Sequence, residues 1–192
     1  LLTAKDSPLI LKNVGLNPTR DGFLKAVKKM GAKIKSVNYK KDYYEPYADL
    51  HISFSSLKAV YIRPSLLPSM IDELPMLFVL CSFAEGVSVI EGVKELKVKE
   101  SDRIEAMRIN LKKMGADFKV EEYFDNSGEK DYRVIIKGKK LKPCSVEAFN
   151  DHRIAMSMII ANIAVKAKEV QIDNVKCIDK SFPEFLDIIK SL

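Results

Sequence analysis

An α/β (α+β) architecture with sheets outside and helices inside is expected from three features of the 192-residue sequence. The string Lys28-Lys29-Met30-Gly31-Ala32 recurs as Lys112-Lys113-Met114-Gly115-Ala116, so the chain holds internal repeats. Around each copy, strand-like runs alternate with amphipathic helical ones. Two further segments, Asp72 to Ala84 and Asp151 to Lys166, are apolar nearly all round, which is the pattern of helices buried at a centre rather than laid on a surface.

The units are expected over residues 9–85, 87–167 and 170–192, within one domain spanning 1–192. Each opens on a short β-branched run: Leu9 to Val14, Val87 to Val93 and Val170 to Val175. An amphipathic helix follows. Phe23, Val27 and Met30 share a face in the first, Ile104, Met107, Leu111 and Met114 in the second, and Phe182, Phe185, Leu186 and Ile189 in the third. Gly31 and Gly115 suit helix C-caps. Strand-like pieces come next, at Lys33 to Val37, Leu50 to Phe54 and Ala59 to Ile62, and again at Asp117 to Glu121, Tyr132 to Lys137 and Val146 to Phe149. A buried helix closes each of the first two units. The third stops at Leu192, after its first helix, and this suggests a piece of a longer polypeptide or strands supplied from elsewhere.

With 47% hydrophobic residues the chain has material for a substantial core. Its net charge of +6, mostly scattered lysine among acids, fits small anionic ligands better than nucleic acid, since aromatics are only 8%. Cys81, Cys144 and Cys177 have neither zinc nor disulfide-framework spacing, so a reducing cytoplasm is expected. Leu74 to Ala84 and Ile154 to Val165 are too short to span a membrane, and residues 1–6 lack the order of a signal peptide.

The loops that enter the helices are charged. The second unit carries Glu95-Leu96-Lys97-Val98-Lys99-Glu100-Ser101-Asp102-Arg103. Taken alone, this is a solvated charge run before a capping box of Asp102 and Glu105. The first unit enters its helix through Asn17-Pro18-Thr19-Arg20, and the third through Asp179-Lys180-Ser181, with Ser181 and Glu184 as a second box. A cation thus stands at every first helix: Arg20, Arg103 and Lys180. The buried helices begin at Asp72-Glu73 and at Asn150-Asp151-His152-Arg153. N-capping alone accounts for Asp72 and Asp151; convergence of these helix starts with arginines and lysine makes a phosphate or carboxylate site.

Ile71-Asp72-Glu73-Leu74-Pro75, Glu95-Leu96-Lys97-Val98-Lys99-Glu100-Ser101-Asp102-Arg103, Asn150-Asp151-His152-Arg153-Ile154-Ala155-Met156 and Asp179-Lys180-Ser181-Phe182-Pro183 resemble, in order, the motifs of the 5-enolpyruvylshikimate-3-phosphate synthase family. The resemblance takes in Asn17-Pro18-Thr19-Arg20 and implies the C-terminal domain of a two-domain enzyme, built of βαβαββ units with buried parallel helices. It implies transfer of the enolpyruvyl group of phosphoenolpyruvate to the 5-hydroxyl of shikimate 3-phosphate, with release of phosphate and no metal or organic cofactor. By the same resemblance Asp72 takes the proton of the attacking hydroxyl and Glu100 delivers one to the methylene carbon. Arg103, Arg153 and Lys180 match phosphoenolpyruvate ligands, and Lys99 a shikimate-3-phosphate contact. Asp151 and His152 support them. Lys97 stands where arginine is frequent. The missing N-terminal domain of the same polypeptide is the implied partner, so the 192 residues alone are expected to fold without turnover, and the whole enzyme to be a cytoplasmic monomer. Two alternatives stand beside this: a UDP-N-acetylglucosamine enolpyruvyl transferase, and a basic repeat module that binds nucleic acid.

Overall fold

A computed structural model describes residues 9–41 and 45–191. Its first strand, β1 (Leu9–Gly15), leads into helix α1 (Gly22–Lys29), then β2 (Lys33–Lys41), β3 (Pro46–Ser53), a two-residue β4 (Tyr61–Ile62) and α2 (Leu74–Phe83). The order then recurs with β5 (Val87–Glu91), α3 (Arg103–Lys113), β6 (Asp117–Phe124), β7 (Lys130–Lys137) and α4 (His152–Ala164), after which α5 (Phe185–Ser191) ends the described chain. One sheet is antiparallel, in the order β1-β3-β2; the other runs β4-β5-β7-β6, with β4 and β5 parallel and the rest antiparallel. β4 therefore passes from the first run of elements into the sheet of the second.

The repeated string is a helix stop. In the first copy the Gly31 N–H donates to Lys28 O and the Ala32 N–H to Val27 O; in the second Gly115 donates to Lys112 O and Ala116 to Leu111 O. This is the Schellman pattern, and both glycines take the left-handed backbone it needs, with φ of 90° and 96°. Met30 and Met114, just before them, are fully buried and anchor each helix end in the core.

The core lies between helices and sheets. Leu74, Leu77, Phe78 and Cys81 of α2 and Ile154, Met158 and Ala161 of α4 have no solvent exposure. Ile62, Ile90, Phe118, Val134 and Ile136 cover them from the four-stranded sheet, with the Phe78 and Phe118 rings edge to face at 5.5 Å. The three-stranded sheet faces α1, α2 and α4 across an apolar cavity lined by Leu11, Leu50, Met76, Phe83 and Ile160. Among the described residues no helix is long and apolar enough to cross a membrane.

Several expected boundaries shift. Val146 to Phe149 and Val170 to Val175 form no strands; their β pairing is one isolated parallel bridge between Val146 and Ile172. Asp72 lies in a 3-10 turn (Ile71–Glu73) ahead of α2. Phe182 precedes α5 and packs against Phe185, with ring centroids 5.9 Å apart. The Ser181–Glu184 pair also lies before α5, whose first residue is Phe185, so it does not box the first turn. Leu192, the last residue of the third expected unit, falls outside the described residues, as do 1–8 of the expected domain.

Burial pushes the Cys81 thiol up to about 12, so it is inert in the folded chain. Two glycines separate conformational from steric cost. Space around Gly115 is open, so Gly115→Ala is expected to lose only the left-handed preference, about 1 kcal/mol. A Cβ on Gly138 would meet Ala84 O at 1.6 Å, so Gly138→Ala is expected to unfold at much lower urea than Gly115→Ala.

Candidate active site

Four chain segments meet at the starts of α2, α3 and α4. Asp102 caps α3 by accepting the Glu105 N–H at 3.1 Å, while the Glu105 carboxylate turns to Arg108, so only half of the expected box forms. Arg103, the next residue, is 3% exposed. Its Nε donates to Asp151 Oδ2 at 2.8 Å. Its Nη1 lies 3.5 Å from Asp72 Oδ1, and its Nη2 3.5 Å from Glu100 Oε2. Nη1 is buried and has no hydrogen bond.

Asp151 is the N-cap of α4, accepting the Arg153 N–H at 2.9 Å on Oδ1. Its other oxygen takes both Arg103 and, at 3.1 Å, the Ser101 hydroxyl. The chain reaches this cap through Phe149 and Asn150, both left-handed with φ of 53° and 54°. That conformation is strained for phenylalanine. Bonds on either side hold the turn: the Asp151 N–H donates to Ala148 O at 3.0 Å, and the Ala148 N–H to Asp173 Oδ1 at 2.7 Å.

Asp72 is not a cap, since no side chain caps its 3-10 turn or α2. Its carboxylate instead faces arginines: Arg153 Nη2 at 3.2 Å, Arg103 at 3.5 Å and Arg20 at 3.9 Å. Arg153 Nη1 also donates to the Asp72 carbonyl at 3.1 Å, tying α4 to the turn before α2. Arg20 reaches Glu73 at 3.7 Å as well. His152 Nδ1 lies 3.1 Å from Glu100 Oε2. Beside them Glu100, Asn150, His152, Cys177, Lys180 and Ser181 line a small open pocket.

The structure thus brings Asp72, Glu100, Arg103, Asp151, His152 and Arg153 into one contact network, with Lys180 on the adjoining pocket wall. Lys99 does not join it: its ammonium pairs with Glu95, one turn earlier. Lys97 pairs with Asp102 at 3.2 Å and lies over the Tyr132 ring. Sequence reasoning placed Arg20 beside a helix start but gave no sign that it reaches Asp72, and it overlooked Ser101. Glu100, Asp151 and His152 offer ligand atoms within 4.8 Å of one another. Arg103 contacts both carboxylates there, and Asp151 is further engaged by Ser101 and the Arg153 N–H.

Burial alone would raise the Asp151 carboxyl, but the Arg103 hydrogen bond and charge, the Arg153 N–H and the Ser101 hydroxyl outweigh it and hold it below its ordinary range.

A protein-family model for EPSP synthase (3-phosphoshikimate 1-carboxyvinyltransferase) matches residues 3–189. The chain is similar to the 3-phosphoshikimate 1-carboxyvinyltransferases of Petrotoga mobilis and Aquifex aeolicus, each 43% identical, over 100% and 97% of this chain. It spans 42% of the length of either relative. The solved EPSP synthase of Acinetobacter baumannii superposes with a TM-score of 0.85 at 34% identity, covering 99% of this chain and 42% of that one. The enolpyruvyl transferase NikO of Streptomyces tendae, 15% identical with a TM-score of 0.64 over all of this chain and 40% of its own, shares the fold. These matches favour neither the UDP-amino-sugar transferase nor the nucleic-acid alternative.

The lowered Asp151 carboxyl sets an acid limit. In the acid range the unfolded chain binds more protons than the folded one, so stability rises with pH there. The contribution is whole above the ordinary carboxyl value of about 3.9 and is lost as pH falls through the lowered one. Urea midpoints of the unsubstituted chain and of Asp151→Asn are therefore expected to differ most above about pH 5 and to converge at the acid end.

Proposed function

Because the chain belongs to the EPSP synthase (3-phosphoshikimate 1-carboxyvinyltransferase) family, we propose that it is one part of an enzyme that transfers the enolpyruvyl group of phosphoenolpyruvate to the 5-hydroxyl of shikimate 3-phosphate. The observation that carries the reading is the ionised-pair network around Asp72: a carboxylate only partly shielded from solvent, with Arg103, Arg153 and Arg20 around it. Arginines there serve two ends. They fix where the Asp72 carboxylate points, and they offer forked donors to the phosphate and carboxylate of phosphoenolpyruvate.

In the proposed sequence the 5-oxygen attacks C2 of phosphoenolpyruvate, its proton passing to Asp72, while C3 takes a proton delivered by Glu100. This forms a tetrahedral intermediate. The C2–phosphate bond then breaks, phosphate leaves, and a proton lost from C3 restores the double bond as an enol ether. His152, with Nδ1 3.1 Å from Glu100 Oε2, stands beside that carboxyl on the side of α4. Lys180, across the pocket, is an additional anion ligand. Lys99 serves shikimate 3-phosphate only if substrate draws it from Glu95. The remaining polypeptide of the longer protein is the proposed partner, closing over this face and excluding water. A single domain over residues 1–192, and a cytoplasmic, monomeric whole enzyme without metal or organic cofactor, complete the reading.

The test is phosphate release from the two substrates. The full-length protein is expected to release phosphate, and the 192-residue chain alone is not. Asp72→Asn in the full-length protein keeps the size of the side chain but removes the base, and is expected to lower kcat by about 10²–10⁴ with a smaller change in KM. Full activity in that variant would remove Asp72 from the reaction.

A further inference from the structure

The geometry points to Ser101 and Asp151 as positioning residues that act through Arg103, setting the angle at which its two terminal nitrogens meet an anionic group of phosphoenolpyruvate. This rests on the transfer reaction proposed above and identifies what holds one of its anion ligands in place.

Arg103 is bound from behind. Its Nε, the nitrogen nearest the chain, is fixed to Asp151 Oδ2 at 2.8 Å, where neither group is open to competing water. The terminal nitrogens are engaged much less. Nη1 is buried without a hydrogen bond, its nearest acid being Asp72 Oδ1 at 3.5 Å, and Nη2 has Glu100 at the same long distance. A guanidinium held tightly at its back and only loosely at its front is a fork that can turn its terminal donors to two oxygens.

Capping explains only half of Asp151. Oδ1 takes the Arg153 N–H and suffices to start α4. Oδ2 serves a segment about 50 residues earlier in the chain, taking the Ser101 hydroxyl as well as Arg103. With both oxygens engaged, the carboxylate cannot turn about its own axis without breaking the cap. The Ser101 bond narrows the position further, since it approaches the same oxygen as Nε and leaves Arg103 one angle of approach. Asparagine at 151 would have a single oxygen for the two sides. If that oxygen keeps the cap, an amide N–H faces Arg103 and Ser101, and the back of the guanidinium is released.

The experiment uses the full-length protein and three variants. Ser101→Ala leaves the buried ion pair in place and is expected to raise KM for phosphoenolpyruvate about three- to tenfold, with KM for shikimate 3-phosphate within twofold. Ser101→Thr, which restores a hydroxyl, is expected to bring the value back. Asp151→Asn is expected to raise the same KM about 10- to 100-fold and to lower the melting temperature as well. A second readout needs no turnover: in protein labelled with ¹⁵N-arginine, the Arg103 Nε–H is expected to exchange slowly in the unsubstituted protein and faster in Ser101→Ala and Asp151→Asn. A Ser101→Ala enzyme whose phosphoenolpyruvate KM stays within twofold, whose two KM values rise together, or whose Arg103 Nε–H is as protected as before overturns the proposal. If the unsubstituted protein releases no phosphate, the transfer reaction itself fails, and the exchange measurement still decides whether Ser101 and Asp151 hold Arg103.

Discussion

The buried pair between Arg103 and Asp151 is the constraint around which this site is assembled. Taking two opposite charges out of water costs several kcal/mol for each, and their attraction repays this only when the remaining lone pairs and protons are also satisfied. For Asp151 they are satisfied, by Arg103, Ser101 and the start of α4. For Arg103 they are not, because Nη1 is buried without a hydrogen bond. Asp151 is therefore fully partnered and Arg103 is not. A buried donor left open in this way favours any oxygen that arrives to fill it.

The hydrophobic layout puts that pair at a rim. α2 and α4 carry apolar residues on nearly every side, so both must lie inside, and their polar starts can leave the core only at their ends. The 3-10 turn before α2 and the strained turn before α4 then come together, joined by Arg153 to the Asp72 carbonyl. Arg103 enters from α3, which packs against both. Strain at Phe149 is tolerated because neighbouring backbone bonds over-determine the turn.

Much of this could be read from residue order. The recurring Lys-Lys-Met-Gly-Ala string marks two Schellman stops, and the two all-apolar segments are the buried helices. Other features were beyond the reach of local pattern. Val170 to Val175 has strand-forming residues, but β propensity says only that a segment can pair, and here the partner gives it a single bridge. Asp72 has the residue type of a cap, yet the backbone turns into a 3-10 helix first and leaves the carboxylate free for arginines. Lys99 sits in the right motif but one helical turn from Glu95, and that short-range contact captures it. Arg20 reaches Asp72 only through tertiary packing, which no spacing reveals.

Charge balance finally limits how such a site can attract its ligands. Four cations, Arg20, Arg103, Arg153 and Lys180, stand among four acids, Asp72, Glu73, Glu100 and Asp151, so with all four acids ionised the formal charge of the rim sums to zero. An anion is not drawn here by field alone. What distinguishes the rim is unfilled hydrogen-bonding capacity: Arg103 Nη1, which has no hydrogen bond, and Lys180, which has no ion pair among the described residues. The acids gain a purpose on the same ground. In the proposed reaction a hydroxyl gives its proton to Asp72 and a carbon takes one from Glu100, and each transfer changes the charge of that carboxyl. The negative charge of the rim therefore passes from Asp72 to Glu100 with its sum unchanged as the proposed chemistry proceeds, and Arg103, in contact with both and held by Asp151, does not need to move to follow it.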